Sequence, residues 1–118
     1  MIVVADTGPV HYLVLIDAVD ALKPLYSRVL VPQTVATELQ GTGTPDAVRI
    51  WIAKPPEWCE IRPDPPPDPA LQFLDPGERA AITLALSLDA GRLLIDEREG
   101  RAEAERRHLL VTSVVSNK

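Results

Sequence analysis

Two short apolar runs each stop on an aspartate: Ile2-Val3-Val4-Ala5 on Asp6, and Leu93-Leu94-Ile95 on Asp96. Such a carboxylate is well placed for chemistry if the runs are parallel strands, because open α/β sheets bind ligands just beyond the carboxyl ends of their strands. Neighbouring strands lie ~5 Å apart, so both carboxylates could reach one ion. Glu38 and Glu78 are the candidates for third and fourth members. Two unit charges ~4 Å apart repel by about 4 kcal/mol at an effective dielectric near 20, so four carboxylates do not converge uncompensated. A hard divalent ion relieves that repulsion, and magnesium retains waters that can be activated against a phosphate. The chemistry this implies is metal-assisted, in-line hydrolysis of a phosphodiester.

Each carboxylate also has a structural use. Glu38 falls near the C-terminal end of its expected helix, where a negative charge is disfavoured by roughly 0.3–1 kcal/mol, and simple solvent exposure would explain it. Asp75-Pro76-Gly77-Glu78 has the spacing of a helix capping box, Asp96 and Glu99 repeat it, and Asp6 or Thr7 could cap a helix starting near Pro9. Caps do not explain why two separate strands both end on Asp. Two other chemistries fail on neighbouring residues. Asp6-Thr7-Gly8 is the short signature of aspartic proteases, but Pro9 follows it and the periodicity is not all-β. A receiver domain needs paired acids after its first strand and a Lys after its last, and lysines occur only at 23, 54 and 118.

The elements that must position these groups follow from periodicity. Val10, Leu13 and Val14, then Val19 and Leu22, predict one bent helix or two short ones from Pro9 to Tyr26. Arg28 to Val31 reads as a strand, followed by a helix from Pro32 to about Gln40 that Gly41 and Gly43 end. Thr44-Pro45-Asp46 opens another helix with Val48, Trp51 and Ile52 on its apolar face. Trp58 to Arg62 fits a short strand, and the Pro-rich stretch 63–70 a stiff surface loop. From Asp75 a largely buried helix turns Ile82, Ala85, Leu86 and Leu88 inward. A strand over Arg92 to Ile95, a charged helix over 97–107 and a last strand from Leu109 to Val115 complete the chain. The order is that of an α/β domain, with helices on both faces of a mostly parallel sheet.

With 118 residues the chain has the size of one domain, residues 1–118, and its five aromatics leave the core to Leu, Val, Ile and Ala. A net charge of −5 argues against a general nucleic-acid coat protein but not against a metal-bridged phosphate. Cys59 stands alone, which excludes a disulfide framework and fits a reducing compartment. No stretch approaches the ~20 apolar residues of a membrane span, so the cytoplasm is expected.

The segments Val3 to Pro9, Val31 to Leu39, Leu74 to Glu78 with Ala81-Ile82, and Leu94 to Glu97 with Gly100-Arg101 resemble, in order, those of the PIN-domain family. The short prokaryotic branch, similar to VapC-type toxins of toxin–antitoxin pairs, is the nearest likeness. The resemblance implies a three-layer α/β/α fold and a magnesium- or manganese-dependent ribonuclease. Its four acidic positions fall on Asp6, Glu38, Glu78 and Asp96, with Glu97 as an auxiliary ligand and Thr7 as a hydroxyl near the metal. It also implies an RNA substrate, a small antitoxin partner and a homodimer. Ser113 stands where that branch usually has Gly, and the chain appears shortened at its C-terminus. The alternative is a catalytically inactive PIN-like module that binds protein or RNA.

Six of the nine arginines fall from residue 79 onward, and Arg98 and Arg101, near Asp96, are candidates for gripping RNA. An equally good reading is a solvated helix balanced by Glu97, Glu99, Glu103 and Glu105. Because no helix follows the last strand, its apolar residues and open edge predict a homodimer or larger assembly.

Overall fold

The structure, a computed structural model, describes residues 1–114. Its strands are β1 (Ile2–Ala5), β2 (Arg28–Pro32), β3 (Cys59–Arg62), β4 (Arg92–Leu94) and β5 (Val111–Thr112). They form one sheet in the order β3-β2-β1-β4-β5, with every neighbouring pair parallel. The helices are α1 (Thr7–Leu15), α2 (Leu22–Leu25), α3 (Gln33–Leu39), α4 (Asp46–Ala53), α5 (Pro76–Ser87) and α6 (Arg98–Arg106), with 3-10 turns at Val19–Ala21 and Pro69–Leu71.

Alternation along the central strands divides the core in two. Val3, Ala5, Val29, Val31 and Leu94 face α1, α3 and α4, whereas Val4, Leu30, Leu93 and Ile95 face α5 and α6. Helices therefore cover both faces of the sheet. None of them, among the described residues, is long and apolar enough to cross a membrane.

The strand order reverses direction between β1 and β4. Connections from the two strands diverge there, opening a crevice at their carboxyl ends, the usual ligand position in open α/β sheets. Val4 pairs with Leu93 and Ala5 with Leu94, so the two strands stop almost level.

Three expectations need correction. The first helix begins at Thr7, not Pro9; proline is tolerated there because first-turn N–H groups have no helical partner. Leu86 and Leu88, expected inside, are 38% and 36% exposed. Leu88 is already the C-cap, and the buried side of α5 is completed by Ala81, Ile82, Leu84 and Ala85. The last strand, expected over Leu109 to Val115, pairs only at Val111 and Thr112, and Val115 lies outside the described residues. Leu109 is still tied to α6 through its N–H to the Ala104 carbonyl, and the Val114 N–H goes to a carboxylate instead of a ladder.

Candidate active site

Asp6 leaves β1 with its N–H donating to the Leu94 carbonyl at 2.9 Å, which locks it against the end of β4. It occupies the N-cap position of α1, yet its side chain makes no capping bond. Its Oδ1 is buried and accepts no hydrogen bond among the described residues. Asp96 follows Ile95, whose N–H donates to the Thr112 carbonyl. Its Oδ1 accepts the Ser113 hydroxyl at 2.6 Å and the Val114 N–H at 3.1 Å, while its Oδ2 is buried without a donor. The N-cap of α6 is Glu97, again without a side-chain cap, so neither strand-end aspartate serves as the helix cap its spacing allowed.

The helices after β2 and before β4 bring the other two acids. Glu38, one residue from the end of α3, accepts the Thr7 hydroxyl on its Oε1 at 2.5 Å. Gly77, in the first turn of α5, marks where these groups meet. A Cβ there would lie 2.5 Å from Glu38 Oε1, 3.1 Å from Thr7 Oγ1 and 3.2 Å from Asp6 Oδ1. Asp75 caps α5 by accepting the Glu78 N–H at 2.9 Å, as its spacing predicts. The Glu78 side chain is buried, and its carboxyl carbon lies 3.4 Å from where a Cβ on Gly100 of α6 would stand.

Asp6, Thr7, Glu38, Glu78, Asp96 and Glu97 thus border one cleft of about 190 Å³ together with Asp75, which sequence reasoning treated only as a cap. Its spacing of three residues from Glu78 was the available signal, since positions i and i+3 share a helix face. Arg98 and Arg101 do not border the cleft. Arg98 is exposed at the start of α6, and Arg101, one turn on, has a buried Nε without a partner among the described residues. Arg106 and Arg107 are already engaged, by Glu103 and by Glu103 with Asp68 respectively.

Electrostatics register the crowding. Burial pushes Asp6 up from its ordinary 3.8 to about 7, with Asp75, Glu78 and Glu38 adding in the same direction and the Thr7 N–H opposing. Burial likewise raises Glu78 from 4.5 to about 7, helped by Asp75, Glu97 and Glu99. Among the described residues no lysine or arginine borders the cleft to offset these charges.

An all-oxygen donor set with unpartnered buried carboxylate oxygens suits a hard divalent cation such as magnesium or manganese. Among the described residues, however, no three Asp, Glu, His or Cys side chains are already gathered tightly enough to enclose an ion. Mutual repulsion keeps bare carboxylates apart, so a cation would have to draw them the remaining distance.

Comparison with known proteins agrees with this architecture. The family model described as PIN domain (DUF3368) matches residues 2–116. The fold is similar to that of the PIN-domain endonuclease Utp24, at a TM-score of 0.68 and 17% identity over 98% of this chain and 86% of that one. It is also similar to a PilT N-terminus domain protein, SSO1118, from the hyperthermophilic archaeon Sulfolobus solfataricus P2, at a TM-score of 0.65 and 14% identity over 96% of this chain and 87% of that one. No match is found among curated protein sequences. With the family's pattern running along nearly the whole sequence, the chain belongs to the PIN-domain family, whose members are typically nucleases.

Proposed function

We propose that this protein is a magnesium- or manganese-dependent endoribonuclease and the toxin of a toxin–antitoxin pair, resembling the VapC type and acting in the cytoplasm. One observation carries the nuclease reading. Asp6 and Asp96 end adjacent parallel strands at the sheet's switch point, and each keeps one buried oxygen without a donor in the same cleft. A structural acid would have its oxygens satisfied, because leaving a buried acceptor unpaired costs about 1–3 kcal/mol or more when charged. The toxin role rests on the sequence likeness alone.

Asp6, Glu38, Glu78 and Asp96 would hold the cation, with Glu97 at the rim. When bound, the metal offsets the clustered charge and supplies Lewis acidity toward the scissile phosphate. The protein's own part is orientation and proton handling. Thr7 fixes Glu38, and Ser113 with the Val114 N–H fixes one oxygen of Asp96 so that the other stays available. One of these carboxylates would orient the attacking water and take its proton. Arg98 and Arg101, with no ion pair among the described residues, would hold RNA phosphates beside the cleft. A homodimer is supported by the exposure of large apolar residues such as Leu15 and Ile16 at the end of α1 and Ile50 on α4, which packs against α1.

Calorimetric titration with manganese tests this reading. A single saturable heat, lost in the Asp6→Asn, Asp96→Asn double variant, is expected. No heat up to millimolar metal would instead favour a non-catalytic binding module.

A further inference from the structure

A second groove, about 280 Å³ in volume, lies between the proline-rich loop and α5, and residues of the first turn of that helix line both it and the acidic cleft. Asp75 and Glu78 face the cleft, whereas Pro76 and Arg79 face the groove. Pro65 and Pro67 supply a rigid, flat wall that loses little entropy on contact, and Ala80 a small apolar floor. Thr34 and Asp64 form the far end, where the Asp64 carboxylate accepts both the Thr34 N–H and its hydroxyl at the start of α3. That carboxylate is therefore committed to the helix. Arg79 is not committed: it is half-buried, lines the groove, and makes no ion pair among the described residues. In a chain of net charge −5, an unpaired guanidinium in a preformed groove calls for an anionic ligand.

We infer that this groove is a nucleotide subsite: it receives the RNA nucleotide next to the scissile phosphate, with the base against Pro65, Pro67 and Pro76 and the phosphate on Arg79. The inference rests on the acidic cleft being the place of cleavage, because neighbouring residues of the first turn of α5, Asp75 with Pro76 and Glu78 with Arg79, line the two sites. Proline rings offer apolar surface to any base, and the Arg79 contact is to the phosphate that every nucleotide carries, so the subsite should grip RNA with little sequence preference.

The test combines binding and kinetics on the whole protein. Nucleoside 5′-monophosphates titrated without metal should shift the backbone amide resonances of Thr34, Arg79, Ala80 and Thr83. Arg79→Ala should remove those shifts and raise KM for a short single-stranded oligoribonucleotide about tenfold, the typical worth of one charge-assisted phosphate contact, with kcat nearly unchanged. Arg79→Lys should recover part of the loss. Absence of amide shifts, with KM unchanged in Arg79→Ala, would overturn the subsite while cleavage abolished by Asp6→Asn still upheld the cleft. Nucleotide shifts in a protein whose RNA cleavage ignores Asp6→Asn would overturn the cleft and, with it, the placement of the groove beside a scissile bond.

Discussion

The Ser113 hydroxyl donates to Oδ1 of Asp96 at 2.6 Å, across 17 positions of sequence, and the next N–H donates to the same oxygen. Two donors on one oxygen fix the carboxylate's rotation and leave Oδ2 facing the cleft without a donor. The short pairing of β5 thereby becomes part of the site. Ser113→Ala removes the stronger donor. We predict a loss of kcat of about tenfold, the order expected for one hydrogen bond to a charged group, with partial recovery in Ser113→Thr. Weaker manganese binding in the alanine variant, measured by calorimetry, should accompany it. An unchanged affinity and rate would reduce Ser113 to a packing role.

Gly77 yields a different kind of test. A methyl group there would meet Glu38 Oε1 at 2.5 Å, and because Glu38 is a flexible, exposed side chain it can swing away without unfolding α5. Gly77→Ala should therefore keep a melting temperature within a few degrees of wild type yet bind manganese far more weakly. A variant that melts early, or one that keeps full metal affinity, would show that the three groups around Gly77 do not act as a unit.

Burial of Asp6 and Glu78 makes stability depend on pH in a defined direction. Both bind protons more tightly folded, near 7, than unfolded, near 3.8 and 4.5. The folded chain therefore holds the extra protons between about pH 4 and pH 7, and stability is lost as pH rises through that window. Metal-free protein should melt at a lower temperature at about pH 8 than at about pH 5.5, and manganese should restore much of the difference at the higher pH. Scanning calorimetry at several pH values, with and without manganese, reads this directly. A flat profile would mean that the two carboxyls are better solvated than their positions suggest.

How much of this was legible in the sequence depended on distance along the chain. Asp6 and Asp96 stood out because strand ends are visible as apolar runs that stop, and the α/β order placed those ends on one edge. The Asp75 cap on α5 was equally local, and its spacing was used as read. Glu38 and Glu78 were candidates from the start but had adequate local explanations, and the family likeness was what tipped the choice toward a shared site. Thr7 was named by the likeness, but the donors that orient Asp96 escaped, because nothing within a few residues of Ser113 points to Asp96, and the Asp64 cap on α3 escaped for the same reason. Gly77 looked like an ordinary helix-start residue, since the groups that need its missing side chain come from two distant segments, Asp6-Thr7 and Glu38. The shortness of β5 was hidden for a similar reason: Leu109 to Val115 has strand composition, but β4 offers it only three residues of edge.

Asp64 caps α3 from the proline-rich loop, standing in for a residue at the helix's own N-cap, where Pro32 has no side-chain acceptor. Asp64→Ala should lower stability by about 1 kcal/mol, the usual cost of losing a cap, and lower the melting temperature by several degrees. Thermal denaturation checks it. A change of less than a degree would mean that water satisfies the α3 N-terminus equally well.

The central claim is that the cleft bordered by Asp6 and Asp96 cleaves RNA with a divalent metal, and the most direct measurement is cleavage of a single-stranded RNA by wild type and by the Asp6→Asn, Asp96→Asn double variant, each with and without magnesium or manganese. The predicted result is cleavage by wild type only when metal is present, reduced at least about a hundredfold in a double variant that remains folded. Equal cleavage by the two proteins, or cleavage by wild type undiminished in EDTA, would contradict it.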